Sequence, residues 1–235
     1  MERTILVTGA DRGLGLALCA GLLQGGWHVF AGQYMPDWHE LRTLANQYPQ
    51  TLHTIPLDVS STESVQAAAR TVEKLADHLD VLINNAGINS PRKERTIREA
   101  QDYPEMHQIY DVNSLGPLRM VEAFLPMMER GNSKRLCFVS SEAGSITRAE
   151  RTGWFGYCMS KAALNMAVKI LFNDLHPRGY TFRVYHPGNV HTYMNVTGTL
   201  PPEHSATAAI QLLLNQLADE DRLVMVDYEG NEWPW

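Results

Sequence analysis

At 235 residues, 44% apolar and 20% charged, the chain has the size and composition of one globular domain with a substantial core. Its net charge of −6 argues against a nucleic-acid or anionic-membrane partner, and no apolar run approaches the roughly 18 residues of a membrane-spanning helix. The opening "MERTILVTGA" turns to Thr-Gly too early for a secretory signal, so a cytoplasmic protein is expected.

Short apolar, β-branched runs recur at Thr4–Thr8, Trp27–Ala31, Leu52–Val59, Val81–Asn84, Arg135–Ser140, Thr181–Tyr185 and Leu223–Val226, each bounded by turn-forming residues. Helix-length segments lie between them. "LGLALCAGLLQ" is one, and "STESVQAAARTVEKLADHL" opens on hydroxyl caps and repeats its apolar residues at helical spacing. Strand alternating with helix over the whole length predicts an α/β fold, a doubly wound parallel sheet of seven strands flanked by helices. No repeat or linker divides the chain, so residues 1–235 are expected to form a single domain. Three less regular stretches, at about 88–103, 142–156 and 189–204, follow strand ends, where ligands bind in such sheets.

"ILVTGADRGLGLAL" reads as strand, glycine turn and helix. Gly9, Gly13 and Gly15 would let backbone N–H groups approach a pyrophosphate at a helix N-terminus, where the helix dipole favours negative charge. The second strand offers no acid for a ribose 2′-hydroxyl: Gln33 and Tyr34 stand in that place, and Asp37 comes late. Arg12 is a fixed cation suited to a 2′-phosphate. NADP(H) is therefore the expected cofactor, with NAD(H) the alternative.

Further along come "LDV" at Leu57–Val59, "NNAG" at Asn84–Gly87, "DVNSLG" around Asn113, "FVSSEAG", "YCMSK" and "HPGNVHT". Together with "TGADRGLG" these resemble, in the right order, the motifs of the short-chain dehydrogenase/reductase family, of the carbonyl-reductase and C-factor-like branch. The resemblance implies a single-domain Rossmann fold and hydride transfer between a nicotinamide and a carbonyl or alcohol. It implies a cofactor site formed by Gly9, Asp11, Arg12, Gly13, Leu14, Gly15, Gln33, Asp58, Val59, Asn85, Ala86, Gly87, Tyr157, Lys161, Pro187, Gly188, Val190 and Thr192. It also implies a catalytic set of Asn113, Ser141, Tyr157 and Lys161, and a homodimer or homotetramer. A cofactor-sensing protein with little turnover and an NAD-linked alcohol dehydrogenase are the competing readings.

The chemistry needs such residues. Hydride addition to a carbonyl leaves an alkoxide that must be protonated as it forms. Tyr157 can give the proton, but a free phenol has a pKa of about 10. Lys161, one helical turn on, is expected to lower it. Ser141 is expected to stabilise the developing charge, although Ser140 and Ser145 are nearby hydroxyls. In the resemblance Asn113 holds a water that links Lys161 to solvent. Sixteen positions separate Ser141 from Tyr157, a longer spacing than in many members, and the extra residues fall in "SITRAERTGWFG".

Other residues have plainer expectations. Cys19, Cys137 and Cys158 lack metal-like spacing and read as free thiols. His186 and His191 flank a loop without a carboxylate or cysteine cluster, so no metal is expected. Arg92, Lys93, Arg95 and Arg98 alternate with Glu94 and Glu99, the pattern of a solvated helix face. Trp154 and Phe155 suit a pocket wall or core packing. Asn84 is expected to tie the central strands together.

Overall fold

The computed structural model describes residues 2–215 and 219–235. Eight strands form one sheet: β1 (Thr4–Val7), β2 (His28–Gln33), β3 (Leu52–Pro56), β4 (Val81–Asn84), β5 (Arg135–Val139), β6 (Thr181–His186), β7 (Met225–Asp227) and β8 (Glu232–Trp233). Their spatial order is β3-β2-β1-β4-β5-β6-β7-β8, parallel from β3 through β7. The expected seven-stranded parallel sheet thus gains an eighth strand, which pairs antiparallel with β7 through Met225 and Trp233. Two residues are too few to show a period. The hairpin is held instead by the Asp227 carboxylate, which accepts from Trp233 Nε1 at 2.8 Å and from the Glu229 and Asn231 N–H groups, both at 2.9 Å.

Helices cover both faces. On one lie α1 (Gly13–Gln24), α2 (His39–Gln47) and α7 (Pro202–Leu214). On the other lie α3 (Thr62–Glu73), α4 (Tyr103–Tyr110), α5 (Gly116–Glu129) and α6 (Phe155–Leu175). Side chains alternate along each strand, and both faces are dry. Leu6, Phe30, Leu82 and Phe138 pack under Phe124, Leu164 and Val168; Ile5, Val7, Val29 and Ile83 pack under Leu18, Leu22 and Leu213. Burial on two sides is why these strands read as unbroken apolar runs. Each large aliphatic buried this way contributes roughly 1.5–3 kcal/mol.

Local chemistry sets the ends. Ser61 caps α3, its hydroxyl accepting from Ser64 N–H at 3.2 Å. Between α4 and α5 the chain makes a π-turn at Asp111–Leu115, where the Gly116 N–H reaches back five residues to the Asp111 carbonyl. Pro117 explains it: without an N–H it cannot bond the Asn113 carbonyl four residues back, and the ladder slips. The strand order reverses between β1 and β4, opening a crevice at their C-terminal ends.

Candidate active site

The first wall of the crevice is the turn from β1 to α1. Gly9 has φ +65°, and a Cβ there would lie 2.9 Å from Ala86 Cα. A Cβ on Gly15 would come within 2.1 Å of the Gly9 carbonyl oxygen. The turn is tied down from β4: Thr8 Oγ1 accepts from the Asn85 and Ala86 N–H groups at 3.0 and 2.9 Å, and Asn85 Nδ2 donates to the Thr8 and Gly9 carbonyls at 2.9 and 3.2 Å. Asp11 is buried, its carboxylate accepting from the Tyr34 and Met35 N–H groups at 3.1 and 2.7 Å. Asn85 and Asp11 therefore shape the turn and the segment after β2. Leu14 is buried beneath the turn, and the first turn of α1 carries neither a side-chain cap nor an acid. Its first N–H groups therefore lack a side-chain acceptor and a nearby acid, the condition an anion-binding helix N-terminus requires.

Arg12 stands at the rim. Its guanidinium lies 4.4 Å from the Trp38 ring and 4.8 Å from the Tyr193 ring, which meet edge to face. It forms no ion pair among the described residues. Nothing in the residue pattern pointed to Trp38 or Tyr193, which come from separate loops. Gln33 ends β2, its carbonyl accepting from Leu57 N–H at 2.7 Å. Asp58 caps the next turn through Ser60, and Val59 packs on Gly116.

The opposite wall follows β6. Gly188 has φ +80°, and a Cβ there would strike the Tyr228 ring at 2.6 Å. The Pro187 carbonyl accepts from Ser205 Oγ at 2.8 Å, and Val190 bridges to Leu200. Thr192 Cγ2 would lie 3.2 Å from a Cβ on Gly13, so this loop reaches across to the glycine turn.

The floor is the start of α6. Tyr157 is half-buried and Lys161 fully so. The ammonium sits 5.7 Å from the centre of the phenol ring and donates to the Val139 carbonyl at 2.9 Å, its one hydrogen bond among the described residues. Burial pushes Lys161 down to about 8. It also pushes Tyr157 up to about 12, opposed first by a hydrogen bond with Ser141. Tyr157 thus lies above its ordinary value, not below it as expected from Lys161, whose ammonium is turned to Val139. Ser141 opposes the rise only in part, and its hydroxyl accepts from Ala143 N–H at 3.1 Å. Ser140, by contrast, donates to Asn165 at 2.6 Å, and Ser145 takes part in the following turn.

Asn113 is fully buried in the π-turn. Its Oδ1 accepts from Ile88 N–H at 2.8 Å; its Nδ2 donates to the Ile88 carbonyl at 2.9 Å and to Ser160 Oγ at 3.0 Å. Ser160 in turn donates to the Tyr157 carbonyl at 2.8 Å, so Asn113 braces the turn that presents Tyr157. A Cβ on Gly87 would meet Asn113 Oδ1 at 3.3 Å and Lys161 Nζ at 3.7 Å.

One expectation needs revision. The stretch around Arg92–Glu99 forms turns, not a helix. Glu94 accepts from Trp154 Nε1 at 2.8 Å, and Glu99 accepts from Thr96 N–H at 2.9 Å, so neither acid pairs along a helix face. Asn84 ties β4 to β5 as expected, its Nδ2 donating to the Cys137 carbonyl at 3.4 Å, while its Oδ1 has no partner among the described residues. The longer loop before Tyr157 is stapled by a bidentate pair between Arg151 and Glu142, at 2.8 and 2.5 Å, which the sequence pattern did not reveal. His186 is buried edge to face with Trp233 at 5.3 Å, and no group of three metal-ligating side chains occurs among the described residues.

A glycine turn at the sheet's switch point, with Ser141, Tyr157 and Lys161 at the same end of the sheet, is the arrangement expected of a dinucleotide-dependent oxidoreductase. Comparison with known proteins agrees: residues 3–200 match the short chain dehydrogenase family model. An oxidoreductase of Schizosaccharomyces pombe is 31% identical over the whole chain and 98% of its own length. C-signal of Myxococcus xanthus is 36% identical over 67% of the chain and 93% of its own length. The structure of NADPH-bound carbonyl reductase from chicken fatty liver superposes with a TM-score of 0.89 at 32% identity, covering 100% of this chain and 99% of that one. The chain belongs to the short-chain dehydrogenase/reductase family and is an oxidoreductase of that family.

Proposed function

We propose that the protein is an NADPH-dependent carbonyl reductase acting on a small aldehyde, ketone or quinone. The observation that carries this reading is a buried Lys161, 5.7 Å from the centre of the Tyr157 ring, that uses one of its three donor hydrogens among the described residues. A buried ammonium so poorly partnered is costly unless a ligand supplies acceptors. The residues fit a nicotinamide dinucleotide: Gly9, Gly13 and Gly15 cradle its pyrophosphate, Arg12 meets a 2′-phosphate, and Lys161 holds its ribose hydroxyls. Val190 and Thr192 hold the carboxamide. When bound, the cofactor supplies a hydride to the carbonyl carbon.

The chain's own groups handle the proton. Ser141 donates a hydrogen bond to the carbonyl oxygen as negative charge develops. Tyr157, neutral at pH 7, gives its proton to that oxygen. Lys161 stabilises the phenolate left behind, and Asn113, a positioning residue, supports a water path that returns the proton. An exposed apolar row on α6, Met159, Met166 and Ile170, with Tyr110 of α4 nearby, supports association with a second copy. Sedimentation as a dilute monomer would remove that part.

The test is NADPH oxidation with a panel of aldehydes, ketones and quinones. Tyr157→Phe is expected to lower turnover about a thousandfold, within the range of a general acid. Tight NADPH binding without turnover of any carbonyl would overturn the reductase reading in favour of cofactor sensing.

A further inference from the structure

Next to Tyr157 a shallow, open cleft runs between the turns after β4, α4 and the start of α6. Met106, Ile109, Trp154 and Phe155 make part of its lining apolar. Its charged lining is Arg92, Lys93 and Arg95 against Asp102 and Glu105. Arg92 is taken up by both acids, at 2.5 Å from Asp102 and 3.5 Å from Glu105. Lys93 and Arg95 form no ion pair among the described residues. Glu142 is paired with Arg151, while Glu94 takes the neutral Trp154 indole N–H and keeps its charge beside the cleft. The charges around the cleft therefore balance in number, and what distinguishes Lys93 and Arg95 is that neither has an acid bound to it.

Those two cations are also fixed in place. Lys93 Nζ lies 4.1 Å over the Trp154 ring, and its carbonyl accepts from Trp154 N–H at 2.6 Å. Arg95 Nη1 donates to the Ala100 carbonyl at 2.9 Å, leaving the other edge of the guanidinium free. Gly153 lets the two turns meet, since a Cβ there would lie 3.0 Å from the carbonyl oxygens of Lys93, Glu94 and Arg95. Trp154 itself holds φ +62°, a left-handed conformation rare outside glycine, and such positions cluster at functional sites. Its ring centre is 6.1 Å from that of Tyr157 and 4.1 Å from Lys93 Nζ, which puts the ammonium within about 10 Å of the phenol ring.

We propose that this cleft is a carboxylate-reading substrate subsite, with Lys93 and Arg95 as specificity-determining residues and Trp154 as the wall between them and Tyr157. The inference rests on the reductase reading and narrows it. The substrate class is an oxo-acid: a carbonyl at Tyr157, an apolar or aryl body along Trp154, and a monoanionic carboxylate at the far end. Two cations without ion pairs suit a monoanionic carboxylate, and the planar guanidinium matches its two oxygens. In the reaction the substrate's C=O π bond opens. The carbon receives a hydride from NADPH, which is oxidised to NADP+, and the oxygen receives the Tyr157 proton. The carboxylate is unchanged, and the product is a hydroxy acid.

Matched probes test this: 4-formylbenzoate and its methyl ester, with NADPH. The wild type is expected to favour the acid about tenfold in kcat/KM, through KM, with that preference shrinking as salt rises. Lys93→Met and Arg95→Met should each lower the acid-to-ester ratio about fivefold. If the wild type treats both probes alike, or the variants lower both equally, the subsite is wrong while the reductase reading stands. If neither probe is reduced, calorimetry of 4-hydroxymethylbenzoate and its methyl ester decides. Tighter binding of the acid, weakened in Lys93→Met, supports the subsite without turnover; equal or absent binding overturns it.

Discussion

The two sides of the crevice are built by different means. The cofactor side is a short stretch of chain fixed by backbone contacts: Thr8, Asn85 and Asp11 bond main-chain groups, and Gly9 and Gly15 admit a neighbouring backbone. The proposed substrate side is held by side chains from distant segments. Lys93 and Arg151 stack on Trp154, Glu94 takes its indole N–H, and Arg151 pairs with Glu142. The first arrangement tolerates little change because it depends on space that a Cβ would fill. The second can be rewritten one side chain at a time without disturbing the first.

Breaking the rigid side should have the largest effect. Gly9→Ala forces a side chain into φ +65° against Ala86, a left-handed cost of roughly 1–2 kcal/mol before any clash. NADPH affinity is expected to fall about a hundredfold as the cradle shifts. Fluorescence titration reads this, and an unchanged affinity would contradict the assignment. Arg12→Ser should narrow the preference for NADPH over NADH about tenfold, measured as the ratio of the two dissociation constants. On the adaptable side, Trp154→Leu should raise KM for carbonyl substrates about tenfold, more than it weakens NADPH, because it removes a wall and two cation–π contacts.

The smallest effect lies at the junction. Lys161 is pushed down to about 8, so below that pH the fold must bury its charge. Between pH 8 and the unfolded value the unfolded chain binds the extra proton, and stability rises with pH by about 1 kcal/mol per unit. Cys19 and Cys137, both pushed up to about 12, act in the opposite sense above pH 9. Denaturation of Lys161→Met beside the wild type isolates the lysine. The variant's advantage at pH 7 is expected to shrink steadily towards pH 10, and a constant difference would sink the argument.

Much of this was legible from residues alone because the constraints are local. A strand buried on both faces writes itself as an apolar run, and the glycines of "TGADRGLG" mark backbone proximity. Tyr157 and Lys161 share a helix face because they are four residues apart. What eluded that reading joins segments far apart in the chain. The Arg12–Trp38–Tyr193 stack, the turns that replace a helix at Arg92–Glu99, and strand β8 depend on loops meeting across the end of the sheet. The pKa logic failed similarly. Spacing put a cation beside a phenol, yet burial and the Val139 carbonyl decided what that cation does. Sequence periodicity encodes the scaffold and the cofactor turn, since both are set by neighbours along the chain. The charge and shape of the substrate cleft arise where three loops pack together, and no spacing within any one of them records that.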